Sequence, residues 1–233
     1  ADGVAFSDGA GLVALKRLDR ARADGDRVLA VLAGFGSSSD GRGKAIYAPA
    51  VPGQVLALER AREVNALPAE AVDWVVGHGT GSPAGDAVEL QALREAMPAA
   101  APLLTSNKSL VGHTASSAGV VSVVHALLGL AHETVPAQAP YEAAGEPGPG
   151  IRIPTRHAAL PKLPERARTV GISSFGFGGT NAHLLLQDPP GPGRRAPRAL
   201  PPVDEAAASN PVVIVGWSAH LPGAPAREEI ARR

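Results

Sequence analysis

Short apolar runs that end in clusters of Gly, Ser, Thr or Asn alternate along this chain with stretches whose apolar positions recur at helical spacing. Residues 4–18 are apolar and glycine-rich, and Gly9, Ala10 and Gly11 lead into Leu12, Val13, Ala14 and Leu15, which predicts a buried strand after a tight turn. Residues 17–26 then read as a short charged helix and turn, residues 28–35 as a second strand, and residues 34–43 as a Gly/Ser/Asp loop. Val55, Leu56, Leu58, Ala61 and Val64 recur at helical spacing, and Leu67 and Pro68 open a further short turn. Residues 72–76 form a compact strand running into Gly77-His78-Gly79-Thr80-Gly81, and residues 86–96 resume helical periodicity. Leu103 and Leu104 lead in the same way into Ser106-Asn107-Lys108 and Gly112-His113-Thr114, ahead of a small-residue helix over residues 115–132.

After a Pro/Gly loop reaching residue 150, residues 169–174 and 184–186 read as strands on either side of Phe175-Gly176-Phe177-Gly178-Gly179-Thr180-Asn181-Ala182-His183. Strands alternating with helices in this order predict an α/β fold with buried parallel pairing. Residues 188–210, rich in Pro and Gly with Arg194 and Arg195, read as a semi-extended linker. A continuous apolar run over residues 211–216 starts a new strand, so three parts are expected: a first domain over 1–187, the linker, and the start of a following domain over 211–233. The first residue is Ala1, no charged-then-apolar leader pattern follows it, and a helix-like tail ends at Arg233, which reads as a piece of a longer, cytoplasmic polypeptide.

Composition narrows the classes of function. Hydrophobic residues at 45% and charged residues at 19% describe a globular chain of 233 residues. Twenty-two basic against 22 acidic side chains give a net charge of zero, so no electrostatic footprint for nucleic acid exists. The apolar stretch over residues 120–130 is interrupted by Ser122 and His125 and falls short of the ~20 residues of a membrane span. With no cysteine there is no disulfide, thiolate metal site or cysteine nucleophile in this chain.

Of the seven histidines, His78, His113 and His183 lie in Gly/Thr/Asn-rich turns beside apolar strands, while His125 and His132 read as ordinary helix residues. Three histidines could hold zinc, but there is no His-Glu-x-x-His, and Lys108 near His113 would repel a cation, so no metal is expected. Ala115-Ser116-Ser117-Ala118-Gly119 approximates a nucleophile elbow, although no strand immediately precedes it. Gly176-Phe177-Gly178-Gly179 completes no dinucleotide fingerprint.

Three motifs taken together are more specific. His78-Gly79-Thr80-Gly81, then Lys108 five residues before His113 in Lys-Ser-Leu-Val-Gly-His-Thr, then Ser-Phe-Gly-Phe-Gly-Gly-Thr-Asn-Ala-His from Ser174 resemble, in order, the β-ketoacyl synthase family. Residues 43–49 and 106–109 resemble most nearly the iterative type I polyketide synthases and polyunsaturated fatty acid synthases. The resemblance implies a thiolase-like fold of two related halves in a layered α-β-α arrangement, of which this chain supplies mainly the second. It implies an acyltransferase that performs decarboxylative Claisen condensation between an acyl group on a cysteine and a malonyl thioester on an acyl carrier protein. His78 and His113 match the two catalytic histidines and Lys108 the family lysine. Thr80 and Ser82 would hydrogen-bond the phosphopantetheine arm delivered by the carrier protein, with no tightly bound cofactor. Phe177 would gate the acyl pocket and lend its N–H to an oxyanion hole, in a substrate-side loop held by Asn181 and His183.

Ser7-Asp8-Gly9-Ala10 departs from the usual Gly-Glu-Gly-Ala of the family, and the nucleophilic cysteine, which lies further upstream in the family, is absent. The isolated chain is therefore expected to form no acyl-enzyme. The expected partners are the missing N-terminal ketosynthase half, an acyl carrier protein, and a second ketosynthase-fold subunit, either in a homodimer or in a ketosynthase/chain-length-factor pair. The alternative implied by the same resemblance is a non-catalytic chain-length factor, and the apolar run from Pro211 resembles the opening of a second ketosynthase-like domain.

Overall fold

The computed structural model describes residues 3–41, 45, 48–138 and 150–189. The chain divides into Ala1–Ala196 and Pro197–Arg233, and the second unit lies outside the described residues, as do most of the expected linker and the whole expected start of a following domain.

In chain order the elements are α1 (Leu18–Ala23), β1 (Val31–Ser39), α2 (Val51–Glu63), β2 (Trp74–Val76), α3 (Pro83–Ala96), β3 (Leu103–Thr105), α4 (Lys108–Val111), α5 (Ala118–His132), β4 (Thr134–Val135), β5 (Ala158–Ala159), β6 (Thr169–Phe175) and β7 (Thr180–Gln187). Single 3₁₀ turns at Ala69–Ala71 and Ala115–Ser117 precede β2 and α5. Five strands form one sheet in the order β1-β7-β6-β2-β3, and β4 pairs with β5 apart from it. Parallel pairing holds for β2 with β3 and with β6, but β7 runs antiparallel to both β6 and β1, so the sheet is mixed. The reason is the short turn between Phe175 and Thr180, since a hairpin connection reverses the chain and a parallel neighbour needs a much longer crossover.

Side chains alternate across the sheet and build a core on each face. Ala33, Val75, Leu104 and Leu185 meet Leu58 and Ala61 of α2 and Ala92, Leu93 and Ala96 of α3 on one side. Trp74, Val76, Val170, Ile172 and Leu186 meet Ala126 and Leu130 of α5 on the other. The result is the expected α-β-α layering. β1 extends through the segment read as a Gly/Ser loop because its glycines are packing devices. A Cβ at Gly36 would collide with the Ala57 carbonyl, so the absence of a side chain lets α2 lie directly on the strand. By length and composition Ala115–His132 could cross a membrane, which the count over residues 120–130 underrates. Its Ala118, Ser122, Ala126, Gly129 and Leu130 stripe is buried, and Ala126 and Leu130 join the core on that face of the sheet, which makes it a core helix with an open outer face.

The predicted strand at residues 12–15 does not form. Leu12 is 99% and Leu15 77% exposed, and no strand among the described residues lies alongside to supply a ladder. The segment before it instead crosses the loop after α4, where Phe6 makes a single parallel bridge with His113. Behind the sheet, Arg168 is buried in a two-pronged ion pair with Asp188 and donates to the Leu160 and Leu130 carbonyls at 2.7 and 3.0 Å, which ties α5 to the ends of β6 and β7.

Phe6, Leu110, Val111, Val124 and Leu128 are exposed along with Leu12 and Leu15, large apolar side chains whose exposure favours association. Expressed alone, the chain is predicted to self-associate or aggregate at micromolar concentration in size-exclusion chromatography with light scattering. A monodisperse monomer with one cooperative melt would contradict this.

Candidate active site

Because β2 and β3 are parallel neighbours in register, with Val76 opposite Thr105, the loops that follow them start side by side. The Gly77 N–H donates to the Thr105 carbonyl at 2.8 Å, and Ser106 Oγ donates to the Gly79 carbonyl at 2.8 Å. This places His78, first after the Gly77 rung, opposite the segment that carries Lys108 and His113. The two imidazoles meet edge to face, with ring centres 5.4 Å apart and planes at 88°. Phe175 at the end of β6 lies 5.8 Å from the His78 ring. Phe6 stacks on His113 at 5.6 Å with planes 25° apart.

The backbone around His113 fixes its tautomer. Gly112 takes a left-handed φ of 75°, and a Cβ there would strike the side chain of Ser7 at 2.6 Å. Ala115 is also left-handed, at φ 50°, an unusual conformation for a residue with a side chain, and its N–H is thereby turned onto His113 Nδ1 at 3.1 Å. With Nδ1 accepting, the proton of a neutral His113 sits on Nε2. His78 Nδ1 is buried with no hydrogen-bond partner.

Burial foremost, then the charge of Lys108 and the neighbouring His113, hold the His78 imidazolium well below its ordinary range, at about 3. His113 is lowered by burial and by Lys108. Lys108 is itself buried and pushed down by desolvation, offset by the carboxylates of Glu89 and Asp86. Glu89 accepts the N–H groups of His78 and Gly79, both at 2.7 Å, from the buried face of α3, and burial raises its carboxyl against those bonds. The site therefore offers two imidazoles held neutral by burial and by Lys108, an arrangement suited to stabilising an oxyanion by hydrogen bonds rather than to moving protons at neutral pH.

The other expected residues fall in three places. Thr80 and Ser82 are half-buried on the loop after His78, where Ser82 caps α3 by accepting the Gly85 N–H at 3.4 Å. Phe177 projects from the β6–β7 hairpin, largely exposed. Asn181 is buried and donates to Asp40 Oδ1 at 2.8 Å, so its side chain joins β7 to the end of β1. His183 is apart from the histidine pair, buried with Nδ1 at 3.0 Å from Ser173 Oγ, and burial followed by the charge of Arg62 holds it at about 3. Ser117 Oγ donates to the Gly9 and Thr114 carbonyls at 2.7 and 3.0 Å, which gives it no basic partner and argues against the elbow reading. Sequence reasoning missed Glu89 and Phe6, and gave Ser106 and Phe175 no role within the motifs that contain them. Of these Glu89 left a signal, since it shares a helical face with Ala92, Leu93 and Ala96 and is a carboxylate at a core position.

Residues 29–142 match the family described as "Beta-ketoacyl synthase, C-terminal domain". The chain is 39% identical over 202 residues to erythronolide synthase EryA3 of Saccharopolyspora erythraea, covering 82% of this chain and 6% of that protein. It is 37% identical over 227 residues to polyketide synthase GfsA of Streptomyces halstedii, covering 93% of this chain and 3% of that one. The chain thus spans only a small fraction of these relatives. Among solved structures, the ketosynthase from module 6 of the bacillaene synthase of Bacillus subtilis 168 superposes with a TM-score of 0.70 at 30% identity, over 75% of this chain and 33% of that one. The PfaC keto synthase-chain length factor superposes at 0.68 with 37% identity, over 75% of this chain and 19% of that one. The layered α/β arrangement is accordingly the thiolase-like fold of the ketosynthases.

His78 and His183 are neutral when folded and take up protons near 6.5 when unfolded, so their contribution to stability is complete above that pH and is lost as pH falls toward about 3. The melting temperature of the protein carrying this chain is predicted to fall through that window, and His183→Gln to flatten part of the fall. A His183→Gln variant with the same acid dependence as the parent would refute the assignment.

Proposed function

Since residues 29–142 belong to the β-ketoacyl synthase C-terminal domain family, we propose that this chain supplies the histidine half of a condensing site that extends acyl chains by decarboxylative Claisen condensation in polyketide or fatty acid assembly. The observation that carries the proposal is the edge-to-face pair of neutral imidazoles, with His113 Nδ1 already occupied by the Ala115 N–H. In the reaction the bond between the malonyl carboxylate and the α-carbon breaks and carbon dioxide leaves. Its electron pair passes into an enolate whose charge rests on the thioester oxygen. Nε2–H of His113 and a ring N–H of His78 hydrogen-bond that oxygen without protonating the carbon, so the carbanion survives to attack the acyl thioester and expel the cysteine thiolate. The cysteine belongs to the upstream half.

Lys108 keeps both rings neutral, since an ammonium beside an imidazole disfavours a second positive charge. Thr80 and Ser82, exposed enough for contact on the loop after His78, are assigned to the phosphopantetheine arm of an acyl carrier protein; the Ser82 hydroxyl accepts at the helix cap and keeps its own proton to donate. Phe177 at the hairpin tip is assigned to the mouth of the acyl pocket and its backbone N–H to an oxyanion hole, while Asn181 holds the base of that hairpin. The open apolar face is assigned to the N-terminal ketosynthase half, and the pair of halves to a ketosynthase-fold dimer. A chain-length-factor role would not need His78, His113 and Lys108 gathered in one network, which favours the condensing reading.

In the synthase carrying this chain, His78→Ala and His113→Ala are each predicted to slow carbon dioxide release from a malonyl thioester by about 10²–10³-fold, the scale of losing one oxyanion donor. Ser117→Ala, which removes one anchor of the Gly9 carbonyl and no nucleophile, is predicted to leave a rate far above that of either histidine variant. Full decarboxylation without either histidine would refute the proposal.

A further inference from the structure

Residues 3–9 precede the matched family segment and cross both histidine loops as a strap. Gly3 N–H donates to the Gly81 carbonyl at 3.1 Å on the His78 loop. On the other loop the His113 N–H donates to the Ala5 carbonyl at 2.7 Å, and Ser7 N–H donates to the His113 carbonyl at 3.1 Å. Ser7 Oγ donates to the Val111 carbonyl at 2.6 Å, and the Gly9 carbonyl accepts from Ser117 Oγ. The side chain held between these bonds is Phe6.

We propose that Phe6 is a positioning residue for His113, fixing the imidazole plane so that Nε2 faces the developing oxyanion; the inference rests on the function proposed above. A histidine ring turns easily about its last side-chain torsion, and one hydrogen bond at Nδ1 leaves a rocking freedom. The near-parallel Phe6 ring and the perpendicular His78 ring, both packed against the imidazole, restrict it. Phe6, His113, His78 and Phe175 form a row with ring centres 5.6, 5.4 and 5.8 Å apart, which places two of the four phenylalanines of the chain at the ends of the histidine pair. Phe6 is 65% exposed in this chain, so within it the ring contributes little to the core.

The test uses the synthase carrying this chain, with carbon dioxide release from a malonyl thioester resolved into kcat and KM. Phe6→Ala and Phe6→Leu are predicted to lower kcat about tenfold, with Phe6→Leu, which keeps the apolar bulk, holding the melting temperature of the parent. KM should stay within about twofold, and Phe6→Tyr, which keeps the flat ring, should return kcat to within about twofold of the parent. An unchanged kcat in Phe6→Ala, full activity in Phe6→Leu, or a loss that Phe6→Tyr does not restore overturns the inference. His113→Ala in parallel separates the two claims: if it lowers kcat and Phe6→Ala does not, Phe6 alone is misassigned, and if it has no effect the condensing reading fails with it.

Discussion

The hydrogen bond from the Gly77 N–H to the Thr105 carbonyl, the last rung between β2 and β3, is the constraint on which the site depends. Parallel neighbours about 4.8 Å apart that end at the same level deliver their following loops to one edge of the sheet. His78 comes directly after the rung on one side, and the turn carrying Lys108 and His113 follows it on the other. Ser106 then fastens the two loops through the Gly79 carbonyl, and Glu89 of α3 holds the first loop through the N–H groups of His78 and Gly79. The parallel portion of the sheet is what brings the histidines together, because an antiparallel pair would send the two loops to opposite ends.

Burial and charge act in the same direction on the histidines and in opposite directions on their neighbours. Desolvation and Lys108 both favour neutral imidazoles, while Lys108 and Glu89 are each opposed by burial and supported by the other's charge. The stability lost by placing these groups in a partly dry site is the counterpart of having uncharged N–H donors at neutral pH. In the proposed condensation, an imidazolium at either position would hold an oxyanion more strongly but would also deliver a proton, ending the carbanion before it reacted.

Much of this was readable from the chain. Apolar runs ending in His-Gly-Thr-Gly and Ser-Asn-Lys located the strand ends, and periodicity located α2, α3 and α5 to within a few residues. Long-range pairing was not readable. The pattern carried no sign that β7 reverses direction, and Gly34 and Gly36, read as loop residues, owe their presence to a helix that sequence alone does not place beside them. Leu12 to Leu15 has the pattern of a strand, yet local pattern supplies no partner, and the segment stays exposed. Phe6 escaped notice for a related reason, since its neighbour His113 is over a hundred residues away in sequence and the contact is made by backbone bonds that no spacing rule anticipates.

Phe6, Leu110 and Val111 leave an exposed apolar surface beside the histidines, and the two imidazoles are in place within this chain alone. The central claim is therefore about their protonation. Nitrogen-15 chemical shifts of His78 and His113 at neutral pH, recorded in the assembled ketosynthase, test it most directly. Both rings are predicted to be neutral, with His113 carrying its proton on Nε2 and Nδ1 unprotonated; an imidazolium signal from either ring, or a proton on Nδ1 of His113, would contradict it.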